Sequence, residues 1–487
     1  MGYGGIFLSE SRFKPDTRFK FMAIRTGFIE RLLFRRVELW VLFLVMLLGL
    51  IASIALAWAV RHQTTGGSRL GAMGSVVIRV ASSPSDVKRA ILGVLGLLSG
   101  KQPELQSPED RFRDRSGFEF NSVPGYRPDD GYLLLNRYDG DRSHSVSELW
   151  DLRSHEKIWT WSFAAVDELW RNSNLKTRFN VKVDASSRRF RGTHALLSDN
   201  GDLITKDLYT PLIRASVCSQ LEFFQQDAVY HHSIERDVDG NYWSPTVIEP
   251  SSAGIGGEFF LDDGLSQISP DGVVLRKKSI VQILTENGLA ALVYGSGTHQ
   301  EDDPIHLNDI QPVTEDGRHW KKGDVFLSLR HQSMVMLYRP SIDKVLWFKQ
   351  GPWVHQHDVN ILNDHQISVF NNNAYRKGPN NSAVRDFNDI MVYDFDTGVV
   401  DSPWERGFKN LELRTISEGR GERVGSDVVV EESNYGRIVQ FDASGKVTWE
   451  FINRAADNRI YRLNWSRMVT RELGDKVRTV VSEVVCD

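Results

Sequence analysis

Three short stretches hold the residues best suited to chemistry: HLND from His306 to Asp309, GDVFLSLRHQS from Gly323 to Ser333, and QHDVNILNDHQISVFNN from Gln356 to Asn372. In each, histidine, asparagine or arginine stands at the edge of an alternating β-branched and aromatic run, which puts polar side chains at the mouth of a strand. His357 is the preferred nucleophile. A neutral imidazole nitrogen attacks an electrophilic sulfur or phosphorus atom, and the charged ring then leaves readily in a second half-reaction. Arg330 offers a planar fork for two oxygens of the transferred group. Asn308 adds a neutral donor, and His306, two residues earlier, shares its strand face. Together these three would neutralise charge on the non-bridging oxygens. His232 is suited to protonate a departing oxygen or to take an acceptor's proton. Asp358 reads two ways, as the group that orients the His357 ring or as a turn or bond to a neighbouring unit, because adjacent strand residues face opposite sides.

The same histidines could instead ligate a metal. No helical H-E-x-x-H occurs, although ligands drawn from separate strands need no local motif, and the preferred reading assigns no metal. Asp-rich turns such as DVDG are explained by β-turn chemistry without calcium. No G-x-x-x-x-G-K-[ST] is present, so a phosphate-cradling loop is not expected, nor any other cofactor. A formal charge of -4 and a pI near 6.4 give no global attraction to nucleic acid. The two cysteines, Cys218 and Cys486, lie in no C-x-x-C. They read either as a pair in an oxidising compartment or as a buried thiol and a tail thiol.

What positions these residues is a recurring phrase: a strand, an Asp or Asn turn with Gly, a second strand, and often an aromatic strand such as KVLWF or KVTWEF. It recurs at DDGYLLLNRY from Asp129, THALLSDNGDLITKD from Thr193, HHSIERDVDGNYWSP from His231 and DDGLSQISPDGVVLRKKS from Asp262, then through the three stretches above and the segment from Gly425. Units spaced roughly 45 to 65 residues apart imply an all-β, six-bladed β-propeller whose innermost strands line a channel. A β-sandwich would share the turn texture. His194, His232, His306, His331 and His357 recur at one point of successive units, which favours the propeller. Asp167–Asn174 reads as a helical interruption, and Leu208–Tyr230 as an insert walling the channel mouth.

Leu39–Val60 is apolar, uncharged and long enough to cross a hydrocarbon core of about 30 Å as a helix. Eight basic residues precede it, from Arg12 to Arg36, and only Arg61 and Arg69 follow closely, which places the N-terminus in the cytoplasm. A cleaved signal would have a shorter apolar region and a small-residue cleavage site, so a retained anchor is expected. The expected organisation is a basic cytoplasmic segment over 1–36, a transmembrane helix over 37–61, an external linker over 62–115 and the propeller over 116–487. Phe19–Arg36 reads as an amphipathic interfacial helix or a simple basic flank, Ser83–Leu98 as a helix, and Gly100–Arg115 as a tether or strap.

HLNDIQPV, GDVFLSLRHQSMVMLYRPSIDKVLWF, QHDVNILNDHQISVFNNNAYR and SNYGRIVQFDASGKVTWEF resemble the bacterial arylsulfotransferase family, over about residues 120 to 460. The resemblance implies a six-bladed propeller in the periplasm that moves a sulfuryl group from a phenolic sulfate to a phenolic acceptor. It implies a histidine intermediate and no nucleotide sulfate donor. By motif, His357 matches the nucleophile, His306, Asn308 and Arg330 the oxyanion-binding group, and His232, with His231 as alternative, the remaining site histidine. The chain departs from the family in its anchor, its strap and its two remote cysteines. These departures open other hydroxyl acceptors, such as envelope glycans or lipids. They also open an inactive propeller serving as scaffold in a membrane complex. The expected partners are an aryl sulfate donor, a hydroxyl acceptor, the bacterial inner membrane and, through the N-terminal segment, a membrane protein.

Overall fold

The computed structural model of the protein describes residues 38–64, 105–121, 131–252, 260–295, 302–378 and 381–486, with isolated positions between 70 and 81. The expected helix Ser83–Leu98 and the segment Phe19–Arg36 lie outside the described residues. The chain divides into two units, Met1–Lys101 and Gln102–Asp487. In the first, Leu39–Thr64 forms one helix. Its apolar side chains, among them Leu47, Ile51 and Ile54, are exposed, and the helix is long and apolar enough to cross a membrane.

The second unit is a propeller-like array of antiparallel sheets. One sheet orders its strands Leu307–Pro312, Val325–Leu329, Met334–Arg339 and Lys344–Gln350. Its sequence shows why. The middle strand VFLSL is buried along its whole length because sheets pack on both its faces, whereas the edge strand KVLWFKQ alternates exposed and half-buried positions. A second sheet holds Val359–Ile361, Gln366–Asn371, Asp389–Asp394 and Val400–Asp401. A third runs Arg420–Val424, Asp427–Glu432, Arg437–Phe441 and Val447–Ile452, and gains Gly117–Phe120 as a fifth, outer strand. In the fourth, Arg467–Val469, from near the C-terminus, pairs with Tyr132–Asp139, followed by His144–Asp151 and Glu156–Ser162. That pairing stitches the two ends of the β region together.

The strands between residues 193 and 279 correct the expected count of six separate blades. Thr193–Leu197, Leu203–Lys206, Thr210–Ala215 and Leu221–Tyr230 continue into Tyr242–Val247, Asp263–Ile268 and Val274–Ser279 as one eight-stranded sheet, with Glu235–Arg236 paired to its side. Four sheets therefore stand as discrete blades. The junction is the pair Thr246 and Tyr230. The ten-residue strand Leu221–Tyr230 runs far enough to reach the next unit. Leu208–Tyr230 is thus sheet, not an insert. Asp167–Asn174 contains the expected helical turn, as Val166–Arg171.

Apolar side chains fill the gaps between sheets. Trp243, Leu265, Ile283, Leu307, Leu327 and Met336 form one such layer, each contributing about 1.5–3 kcal/mol by leaving water. The segment before the first sheet acts as a strap. Arg454 grips Asp110 at 2.8 Å, Arg111 meets Glu432 at 2.8 Å, and Leu105 is buried against Tyr138 and Tyr461.

The C-terminal helix Arg471–Glu483 packs across the first strands, capped by Thr470, whose hydroxyl accepts from Leu473 N at 3.3 Å. Gly474 lies so close to the Tyr132 ring that an added Cβ would overlap it. Beyond the helix, Cys486 is disulfide-bonded to Cys218, 268 residues away, which settles the two open readings of the cysteines in favour of pairing. The bond closes the chain from residue 218 to 486, the larger part of the β region, into a loop. Cys218→Ser should lower stability by roughly 2–5 kcal/mol in denaturant unfolding; an unchanged midpoint would contradict this account of the C-terminal staple.

Candidate active site

Left-handed histidines stand at the start of, or just before, several inner strands. His194, His232, His306 and His355 have φ of 56°, 52°, 51° and 52°, a conformation that disfavours a side chain by about 1–2 kcal/mol. Such strain is held in place by the surrounding sheets, and at His232 and His306 it turns the chain where two site rings meet.

The His232 and His306 ring centres are 4.9 Å apart, and His232 lies 6.3 Å from His357. His306 is 4.4 Å from His331. Asn308 donates from Nδ2 to the Gln356 carbonyl at 2.8 Å, next to His357. Arg330 Nη1 donates to His331 Nε2 at 2.8 Å. The fold therefore gathers all five expected site residues, His232, His306, Asn308, Arg330 and His357, from separate inner strands and their adjoining loops. His231 is beside them, its Nδ1 2.7 Å from Nδ1 of His232, with its other nitrogen 3.4 Å from Asp263.

His357 is fully buried, and its tautomer is fixed. Asn372 spends its Nδ2 hydrogens on the carbonyls of Thr415 and Glu418, at 3.1 and 2.8 Å. Its Oδ1 must then accept from His357 Nδ1–H, at 2.5 Å. Nε2 of His357 consequently carries the lone pair, and it is buried with no hydrogen-bond partner among the described residues. Burial, and then the nearby Arg330 charge, holds this imidazole well below the usual histidine range, so the ring is neutral. His232 is held low in the same way, by burial and then by His306.

Asp303 was not singled out by its sequence context. Its carboxylate accepts from His306 Nδ1 at 2.6 Å, and its backbone carbonyl from His331 Nδ1 at 2.6 Å. Burial alone would raise its pKa, but the His306 charge and hydrogen bond outweigh that and hold it at about 2. Burial lowers His331 to about 3. Lys206, fully buried, caps the backbone carbonyl of His232, and burial brings its ammonium down to about 7.

Asp358 takes the second of its two expected roles. It accepts from Asn360 at 2.7 Å and faces Arg420 at 3.5 Å on the next sheet, so it bonds units together, and the His357 ring is oriented by Asn372 instead. Beneath the histidines, Asp309 accepts from Val359 N at 2.9 Å; burial and the facing Asp358 raise it to about 8.

Asn372→Ala leaves Nδ1 of His357 without its acceptor and frees the ring to adopt the opposite tautomer. It should slow turnover roughly 10²-fold and displace the acid limb of the pH profile. A rate within twofold of wild type, measured beside an unchanged circular dichroism spectrum, would contradict the orienting role.

No curated protein sequence matches the chain. Among solved structures, a Bacteroides caccae protein of unknown function shares 10% identity, covering 66% of this chain and 93% of its own, with a TM-score of 0.39. A streptogramin B lyase shares 10% identity over 72% of this chain and 98% of its own, at 0.34. A 6-phosphogluconolactonase-like protein from Bacteroides fragilis NCTC 9343 shares 10% over 70% and 98%, at 0.35. Residues 215–454 match the sequence model of a family described as Arylsulfotransferase (ASST). That span includes His232, His306, Asn308, Arg330, His357 and Asn372, and over it the chain is similar to the arylsulfotransferase family.

Proposed function

We propose that the propeller transfers a sulfuryl group from a phenolic sulfate ester to a phenolic or other hydroxyl acceptor through a sulfohistidine at His357. The observation that carries this reading is the Nε2 lone pair of His357, buried, unpartnered and fixed in its tautomer by Asn372. In the first half-reaction Nε2 attacks sulfur, the N–S bond forms, and the bond from sulfur to the aryl oxygen breaks, releasing phenolate. Arg330, Asn308 and His306 hold the three non-bridging oxygens as charge redistributes. In the second half-reaction the acceptor hydroxyl gives its proton to neutral His232, its oxygen attacks sulfur, and the N–S bond breaks to return neutral His357.

Phe179 and Tyr209 stack with ring centres 4.4 Å apart, and Tyr209 lies 5.3 Å from His231, an aromatic wall suited to a phenolic ring. The membrane-length helix and the Cys218–Cys486 disulfide support an anchor in the bacterial inner membrane, with the basic N-terminus cytoplasmic and the propeller periplasmic.

The test is release of nitrophenol from 4-nitrophenyl sulfate, dependent on an added phenol. No release would favour a catalytically silent scaffold. The pH dependence is a second check. An exposed histidine nucleophile loses activity as pH falls through about 6.5, whereas burial keeps His357 neutral well below that point. The kcat/KM for the donor should therefore stay flat from about pH 7.5 to 6. A drop centred near the ordinary histidine value would contradict the buried-nucleophile assignment.

A further inference from the structure

We propose that Asp303, His306 and His331 form a binding site for a divalent transition-metal ion of the zinc class, and that metal bound there disarms Arg330. The binding claim stands on this cluster alone. Its effect on turnover rests on the role given to Arg330 above.

The ligand atoms already converge. One atom from each of the three residues lies within 4.8 Å of the others. Asp303 Oδ2 is 2.6 Å from His306 Nδ1 and 3.6 Å from His331 Nδ1. Ligands sharing a tetrahedral zinc ion at about 2.0–2.1 Å stand roughly 3.3 Å from one another, between the two observed spacings. Two imidazole nitrogens and one carboxylate oxygen are a donor set that zinc favours, with a fourth position left for water or a substrate oxygen.

The backbone holds the set together. Asp303 and His306 sit three residues apart on the turn entering strand Leu307–Pro312, and Asp303 Oδ1 accepts from His306 N at 3.1 Å. His331 lies on the neighbouring hairpin, tied across by Arg330 N to His306 O at 3.0 Å and His331 N to Ile305 O at 3.2 Å. The Asp303 and His306 side chains are 22% and 21% exposed, so an ion has a path in from solvent.

Metal ligation changes what the far side of each ring can do. Without metal, both Nδ1 atoms carry hydrogen, donated to the Asp303 carboxylate and carbonyl, and His331 Nε2 accepts from Arg330 Nη1 at 2.8 Å. Coordination requires the Nδ1 lone pairs. Neutral His331 moves its ring proton to Nε2, while His306, whose charge holds Asp303 low, gives up its Nδ1 proton and keeps Nε2–H. His331 Nε2–H then faces Arg330 N–H. Two donors at that separation cannot bond, so the guanidinium turns away from the sulfuryl position.

The experiment is a titration of untagged, full-length protein with Co²⁺, reading the visible absorption of a four-coordinate ion, followed by Zn²⁺ competition. One saturating equivalent that Zn²⁺ displaces is expected, with affinity falling at least about tenfold in both Asp303→Asn and His331→Ala. Thermal melts of each variant separate loss of the site from loss of the fold. No saturable band, or equal affinity in both folded variants, would overturn the site. Nitrophenol release measured in the same samples should fall in proportion to occupancy and return with chelator; full activity at saturating metal would overturn the effect on Arg330. Metal binding by a protein that shows no transfer even when metal-free would leave the site standing and remove the transferase reading instead.

Discussion

His357→Ala should abolish sulfuryl transfer, by roughly 10⁴-fold or more, and leave the propeller folded. The size of the effect follows from the role: the substitution removes the atom that bonds to sulfur, so neither half-reaction has its intermediate. The structural cost is smaller. Asn372 Oδ1 loses its donor, about 1–3 kcal/mol for a buried acceptor, while the layers of apolar side chains between sheets are untouched. Donor turnover and denaturant unfolding measured on one preparation separate the two effects. Turnover within tenfold of wild type would remove His357 as nucleophile, whatever the stability.

Arg330→Lys should slow transfer by about 10²–10³-fold. The lysine keeps the charge, so simple attraction of an anionic donor survives. What it loses is the rigid pair of N–H groups that, on the proposed mechanism, would hold two sulfuryl oxygens while a third N–H is fixed on His331 Nε2. An ammonium on a flexible stem meets one acceptor at a time. The loss should fall mainly on kcat, because charge at the oxygens matters most as the bond to the leaving oxygen breaks. A rise in KM with kcat unchanged would show that Arg330 only captures substrate.

The site histidines were legible because each stands where a period-2 run begins, and a closed array of sheets brings such points together. His232, His306 and His357 meet for that reason, although 125 residues separate the first from the last. Asn372 was not legible. Three consecutive asparagines, 371–373, stand at the end of strand Gln366–Asn371, and only the fold decides that the middle one turns to His357 while its neighbours bond backbone elsewhere. Asp303 was hidden as the last of three consecutive acidic residues, 301–303, with no spacing that sets it apart. Asp358, adjacent to His357 in sequence, faces the opposite way, as alternation on a strand demands.

The sheet texture was legible and its partition was not. Strand Leu221–Tyr230 carries two glutamines, a glutamate and an aspartate, which hid its period, and its pairing through Thr246 merges units that the turn signals separate. The disulfide leaves no local trace, because residues 268 apart carry no spacing signal. Strand Gly117–Phe120 joins the edge of a sheet built from residues after 419, a pairing that only ring closure makes local.

The central claim is a covalent sulfuryl group on His357. Intact-mass spectrometry after brief exposure to excess 4-nitrophenyl sulfate, without acceptor, tests it most directly. The account predicts a gain of about 80 Da with one equivalent of nitrophenol released, in the wild type and not in His357→Ala. An unmodified mass with steady nitrophenol release, or the same adduct on the variant, would contradict it.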